Sequence, residues 1–243
     1  MIPSFNCFLR QKSRLGLVPE HPVRTLGTFR SVILEAKVIP EELIDIKNFL
    51  VANAVQLSRR FQDGRINASI NEDELIKAIR TQFSIELPPP RYWYDFAIKK
   101  GAEIVPVNIK VTSTTTADNV QCKLGMYYAL TGIWPSFANE MPWGEYFALL
   151  KQGLSTKTDK DYYILVVSKR NPCDVFCTSL KQIRTLVANG NNLPFQCNWG
   201  KNRTPHSRTH DEAVKFLLGK FYESIQLRAN ILYEFEENLG SVI

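Results

Sequence analysis

The sequence predicts a mixed α/β protein arranged around one central β-sheet. Three observations carry that expectation. Arg91 to Thr116, RYWYDFAIKKGAEIVPVNIKVTSTTT, alternates apolar and polar residues on either side of a turn at Lys99-Lys100-Gly101, the pattern of two paired strands. Tyr162 to Val167 is a short, continuous apolar run rich in β-branched residues, as expected of a buried strand. Around these lie segments whose apolar residues recur at helical spacing, so strands and helices mix in one chain.

The elements follow in order. Residues 1–39 form a loop-rich N-terminal arm, broken by Pro3, Gly16, Pro19, Pro22 and Gly27. Pro40 to Phe61 reads as a helix, with Pro40 in its first turn, acidic Glu41, Glu42 and Asp45 near its start, and Arg59 and Arg60 near its end. Leu43, Ile46, Phe49, Leu50, Ala54 and Leu57 form its apolar stripe, which suits a core or a subunit interface equally. A second helix is expected from Asn71 to Phe83, with Asn71 and Glu74 as a capping box and Ile76, Ile79 and Phe83 buried. Glu72 shares that inward face.

Pro88-Pro89-Pro90 is a stiff connector into the hairpin. A helix is then expected from Ala117 to Leu130, ending at Gly132, and another from Pro142 to Gly153. After the strand at Tyr162–Val167, a short strand is expected at Asp174–Thr178 and a helix at Leu180–Ala188. Phe195–Trp199 reads as a last strand, followed by a basic loop at 200–208. A long helix runs from the N-cap Thr209 to about Glu237.

With 243 residues, 44% of them hydrophobic and 11% aromatic, the chain is long and apolar enough for one ordered domain. A net charge of +6 favours a polyanionic partner. No apolar run is long enough to span a membrane, and Arg10, Lys12 and Arg14 are not followed by the apolar stretch of a secretion signal. The five cysteines are an odd number at irregular spacings, so reduced thiols in an intracellular setting are expected.

The hairpin carries the chemistry. Asp95 lies on its first strand, and Asn108 and Lys110 project from one side of the second, about 6.5–7 Å apart. A carboxylate, a neutral amide oxygen and a lysine in this disposition form a metal-phosphate site. Asp95 is the expected anchoring metal ligand, with Asn108 and the Ile109 carbonyl adding oxygen donors. Lys110 is the expected catalytic cation, and Glu72 reaches the site if it faces inward. The hydroxyl run Thr112, Ser113, Thr114, Thr115, Thr116 supplies short phosphate contacts. An ordinary surface hairpin has the same bare pattern.

Tyr94-Asp95-Phe96-Ala97-Ile98 and Val107-Asn108-Ile109-Lys110-Val111-Thr112 together resemble the core of the PD-(D/E)XK nucleases, and most closely the EcoRV branch of type II restriction endonucleases. Lys123-Leu124-Gly125-Met126-Tyr127 is similar to that branch too, and Thr116 to Asn119 resembles the narrower NlaIV/NgoBV group. The resemblance spans about residues 70–210, though the hairpin alone is specific. It implies a restriction-endonuclease-like core and magnesium-dependent hydrolysis of duplex DNA at a short palindrome, GGNNCC in the narrower group. A homodimer, a bacterial cytoplasmic setting and a cognate DNA methyltransferase are further implications. The sequence departs from the pattern at Asn108, where an acidic residue is usual, and that shifts catalytic weight onto Asp95, Lys110 and Glu72.

By position, the basic loop corresponds to the recognition loop of that branch. Arg203 is then the first expected guanine reader, followed by Asn202 and Lys201, with Arg208 also in the loop. Arg91 belongs to a second DNA-facing loop just before Asp95. The Pro40–Phe61 helix is the expected contributor to the dimer. Two other readings stay open, a repair or recombination nuclease on the same fold and a non-catalytic basic DNA-binding protein. Cys173, Cys177, His206 and His210 mimic a zinc-ligand spacing, but a strand separates the two cysteines by about 13 Å, too far for one ion.

Overall fold

The computed structural model describes residues 39–55, 64–120 and 122–240, with side chains from residue 70 onward in the second segment. Its centre is a mixed four-stranded sheet of β1 (Phe96–Lys100), β2 (Glu103–Thr112), β4 (Tyr163–Ser168) and β5 (Val175–Ser179), in the order β1-β2-β4-β5. The outer pairs are antiparallel and the central β2–β4 pair is parallel. Lys100 pairs with Glu103, so the turn residues are Gly101 and Ala102, one position beyond the expected centre. Gly101 has φ 63, at the first turn position, where only glycine is unstrained.

Alternation along the central strands sorts two cores onto the two faces. Val107, Ile109 and Val111, with Tyr163, Leu165 and Val167, pack with α1 (Glu41–Ala52) and α2 (Gly64–Ile79). Ile164 and Val166 point the other way, toward α3 (Lys123–Thr131), α4 (Trp143–Gly153) and the first half of α5 (His210–Leu239). Asn108 and Lys110 pair with Ile164 and Val166 in the register, so they share that second face at its half-exposed edge.

Several elements lie where expected. α4 follows Pro142 and α3 ends at Gly132, whose φ of 70 suits the left-handed cap. Thr209 caps α5 in a complete capping box with Glu212. Leu43, Ile46 and Leu50 of α1 are buried inside this chain, so the stripe is core packing here.

Other boundaries differ. α1 ends at Ala52, where the Asn53 side chain and backbone both bond the Phe49 carbonyl, at 3.0 and 2.9 Å. Ala54 is exposed, and Leu57, Arg59 and Arg60 fall outside the described residues, as does the N-terminal arm up to residue 38. α2 begins at Gly64, so Asn71 is a buried mid-helix residue on the Asn71-Leu75-Ile79 face and not a cap. Ala117 to Val120 is strand β3, not the start of a helix. It pairs with β6 (Phe195–Asn198) in a second, two-stranded sheet, and that pairing buries Val120. Asp118, Asn119 and β-branched Val120 have weak helical preference, so the ladder wins.

The expected helix at Leu180–Ala188 is only a 3-10 turn at Leu180–Gln182. Its would-be helical backbone groups are taken by side chains instead. Arg208 donates to the carbonyls of Lys181, Ile183 and Arg184, and Asn202 bonds both the N–H and the carbonyl of Thr185. No helix among the described residues is long and apolar enough to cross a membrane.

Candidate functional site

Asp95 lies one residue before β1, and the strand register brings it opposite Asn108. Its own N–H continues the ladder to the Val107 carbonyl at 3.0 Å. One carboxylate oxygen, Oδ2, accepts from the Ile109 N–H at 2.5 Å. That bond fixes the carboxylate and leaves Oδ1 for another partner. Burial raises the Asp95 pKa, with Asp73 adding to the rise, while the Ile109 N–H and Lys110 oppose it.

Asn108 is held from two sides. Its Nδ2 donates to the Ile109 carbonyl at 2.9 Å, and its Oδ1 lies 3.0 Å from the Tyr162 hydroxyl. That hydroxyl is also 2.6 Å from the Trp93 carbonyl. One phenolic proton serves both acceptors, so the Asn108 oxygen keeps acceptor capacity. The Ile109 carbonyl, an expected oxygen donor, already takes the Asn108 amide.

Glu72 comes from α2, well away in sequence, and faces the same charges. Its pKa is raised to about 7, first by burial and then by Asp95, with Lys110 pulling the other way. Glu72, Asp73 and Asp95 line one cleft of about 460 Å³, walled by Ile76, the three prolines Pro88, Pro89 and Pro90, and Tyr94. A second cavity of about 380 Å³ adjoins it, lined by Asn108, Trp93, Cys122, Gly125 and Phe137 among others. Arg91 and Tyr92 line both, and exposed Arg91 has the unusual φ of 62.

The chain thus brings Glu72, Asp95, Asn108 and Lys110 together. Sequence reasoning missed Tyr162, which begins the apolar run and gave no polar signal, and Gly125. A Cβ at Gly125 would lie 2.8 Å from the Tyr162 ring, so a glycine there lets Tyr162 reach Asn108. Among the described residues no group of three or more His, Cys, Asp or Glu is disposed to hold a metal ion. The acidic donors are the two carboxylates Glu72 and Asp95, with Asp73 close by.

The hydroxyl run starts two residues beyond Lys110. Thr112 is buried and its Oγ1 accepts from the Thr114 N–H at 3.3 Å, while Ser113 and Thr114 are half-buried. Thr114 has φ 62, and its carbonyl accepts from the Gly200 N–H at 3.0 Å, tying this segment to the basic loop.

Most of that loop is committed elsewhere. Asn202 is wholly buried and bonds Thr185, Cys197 and Asn198, so it is a structural brace and not a base reader. Arg208 is buried beneath its three carbonyls, with its guanidinium 3.9 Å over the Phe216 ring. Neither side chain reaches a groove from there. Arg203 is exposed but makes a two-pronged pair with Asp174 at 2.5 and 2.7 Å, and lies 4.9 Å over Phe176. Among the described residues, Lys201 alone of the four expected readers is exposed with its side chain in no ion pair or hydrogen bond. Cys177 is buried and Cys173 exposed.

No protein-family model matches the chain, and no curated protein or solved structure is significantly similar to it.

Proposed function

We propose that the chain is a magnesium-dependent nuclease hydrolysing phosphodiester bonds in DNA, with a restriction-endonuclease-like core and the type II, site-specific mode as its first reading. The observation that carries this is Glu72. A helix distant in sequence delivers a second carboxylate to the cleft of Asp95, where burial and then Asp95 raise its pKa to about 7 while Lys110 opposes the rise, and burial raises Asp95 as well. Two buried carboxylates in that condition lack positive charge. Their donors are hard oxygens, without thiolate or imidazole, which suits a magnesium ion that keeps most of its waters. Asp95 and Glu72 would hold it, with the Asn108 oxygen nearby. Bound there, magnesium supplies Lewis acidity to the phosphoryl oxygens and a water of lowered pKa.

The chain's own groups divide the remaining work. Lys110 places a positive charge toward a nonbridging phosphate oxygen and orients the attacking water. Asp95, fixed by the Ile109 N–H, holds one carboxylate oxygen toward the cleft. Glu72, pushed up to about 7 by burial and Asp95 in the metal-free site, would be returned to its charged form by a cation held beside it. Duplex DNA is the proposed partner, read by a two-fold dimer in a bacterial cytoplasm that also holds a cognate methyltransferase.

The commitment of Asn202, Arg203 and Arg208 to intramolecular partners favours a second reading, a repair or recombination nuclease on the same fold that reads no sequence through this loop. One assay separates them. Purified protein is incubated with plasmid and magnesium beside a Lys110→Ala control. Discrete fragments that vanish in the control support the site-specific reading, and a smear or nicks support the second. Binding without cleavage under magnesium or manganese rejects both.

A further inference from the structure

The first half of α5 buries one stripe against the domain, through Ala213, Leu217, Phe221 and Ser224. The same stripe continues past the edge of the domain as Leu227, Ile231, Phe235 and Leu239, four residues apart, with Leu232 beside it. These side chains are 44–57% exposed. From Gln226 to Leu239 every residue of α5 is exposed. An apolar ridge at four-residue spacing is the surface that packs into the equivalent groove of another helix.

We propose that this half of α5 is a self-complementary interface on which a second copy of the chain docks antiparallel about a two-fold axis at Ile231. Charge selects that occupant. Arg228 and Glu234 lie three residues to either side of Ile231, so a two-fold at that residue sets Arg228 of each copy against Glu234 of the other. The same operation sets Leu227 against Phe235. A parallel pair would instead align like charges. Arg228 is held in place, with Nε 2.7 Å from the Gly190 carbonyl and one terminal nitrogen 2.9 Å from the Asn191 carbonyl, and it retains N–H groups for a carboxylate. The Gly190 loop lies against the helix so closely that a Cβ there would be 2.8 Å from the Arg228 nitrogen. Loop and helix frame a shallow groove lined by Arg228, Ile231, Leu232 and Phe235, into which the ridge of the second copy fits. The surface is isologous, one patch meeting itself. It stands independently of the nuclease reading and replaces α1, whose stripe is buried, as the dimer contact.

Sedimentation equilibrium on the full chain at micromolar concentration tests this. A dimer is expected. Ile231→Asp, a substitution at an exposed position, raises the dimer dissociation constant about a hundredfold or more while leaving the far-ultraviolet circular dichroism unchanged. Glu234→Arg alone weakens the dimer, and adding Arg228→Glu restores it. A wild-type monomer throughout, as expected if another segment of the same chain covers the ridge, overturns the proposal. So does a dimer indifferent to Ile231→Asp.

Discussion

Glu72 is held in the fold against its own ionisation. Burial and Asp95 raise its pKa from 4.5 to about 7, so between those values the unfolded chain has lost a proton that the folded chain keeps. Stability therefore falls as pH rises through that window, the reverse of a carboxylate held by a salt bridge. In protein freed of divalent ions by EDTA, Glu72→Gln removes this loss. The variant is expected to be more stable than the wild type at pH 8, by up to about 3 kcal/mol, and to converge with it below about pH 4.5. Urea denaturation across pH checks this. Parallel stability curves for the two proteins would mean Glu72 is not the strained acid. Glu72 was legible from its spacing to Ile79, one helical face. Its neighbour Asp73 and the hydroxyl of Tyr162 were not, because nothing in a helix turn or an apolar strand run announces a distant partner.

At the scale of elements, local pattern was enough wherever the backbone satisfied itself. The β1–β2 hairpin, the buried β4 and the N-cap of α5 all read directly from alternation, β-branching and the hydroxyl of Thr209. The failures occurred where side chains from far along the chain took over backbone groups. Leu180–Ala188 has helical composition, yet Arg208 and Asn202 occupy its polar backbone. Ala117–Val120 lost its helix to β6, nearly eighty residues away. The basic composition of 200–208 suggested a reading surface because two of its polar side chains gave no sign of facing inward. Arg208→Ala leaves three carbonyls without their donor, and a loss of about 3 kcal/mol is expected. Lys201→Ala, at an exposed position, should stay within about 0.5 kcal/mol of the wild type. Equal, small effects in chemical denaturation would show that Arg208 does not brace this segment.

Across the whole molecule, the site depends on how the helical layer meets the sheet. Tyr162 precedes β4, packs beneath Gly125 of α3, and carries its hydroxyl to Trp93 and Asn108. Helix, sheet and the approach to Asp95 thus share one side chain. Gly125→Ala places a methyl 2.8 Å from the Tyr162 ring, in a helix that is buried throughout, so the ring has to move. Overpacking of this kind costs about 1–3 kcal/mol, and it also withdraws the hydroxyl from Asn108. Tyr162→Phe separates the two effects, because it removes the hydroxyl without adding volume and costs about 1–2 kcal/mol. On the nuclease reading both variants lower magnesium-dependent cleavage, measured where each remains folded. If Tyr162→Phe cleaves as the wild type does while Gly125→Ala does not, the ring's position matters and its bond to Asn108 does not. If both cleave normally, the layer contact is structural alone, and the geometry at Asp95 and Lys110 is set entirely within the β1–β2 hairpin.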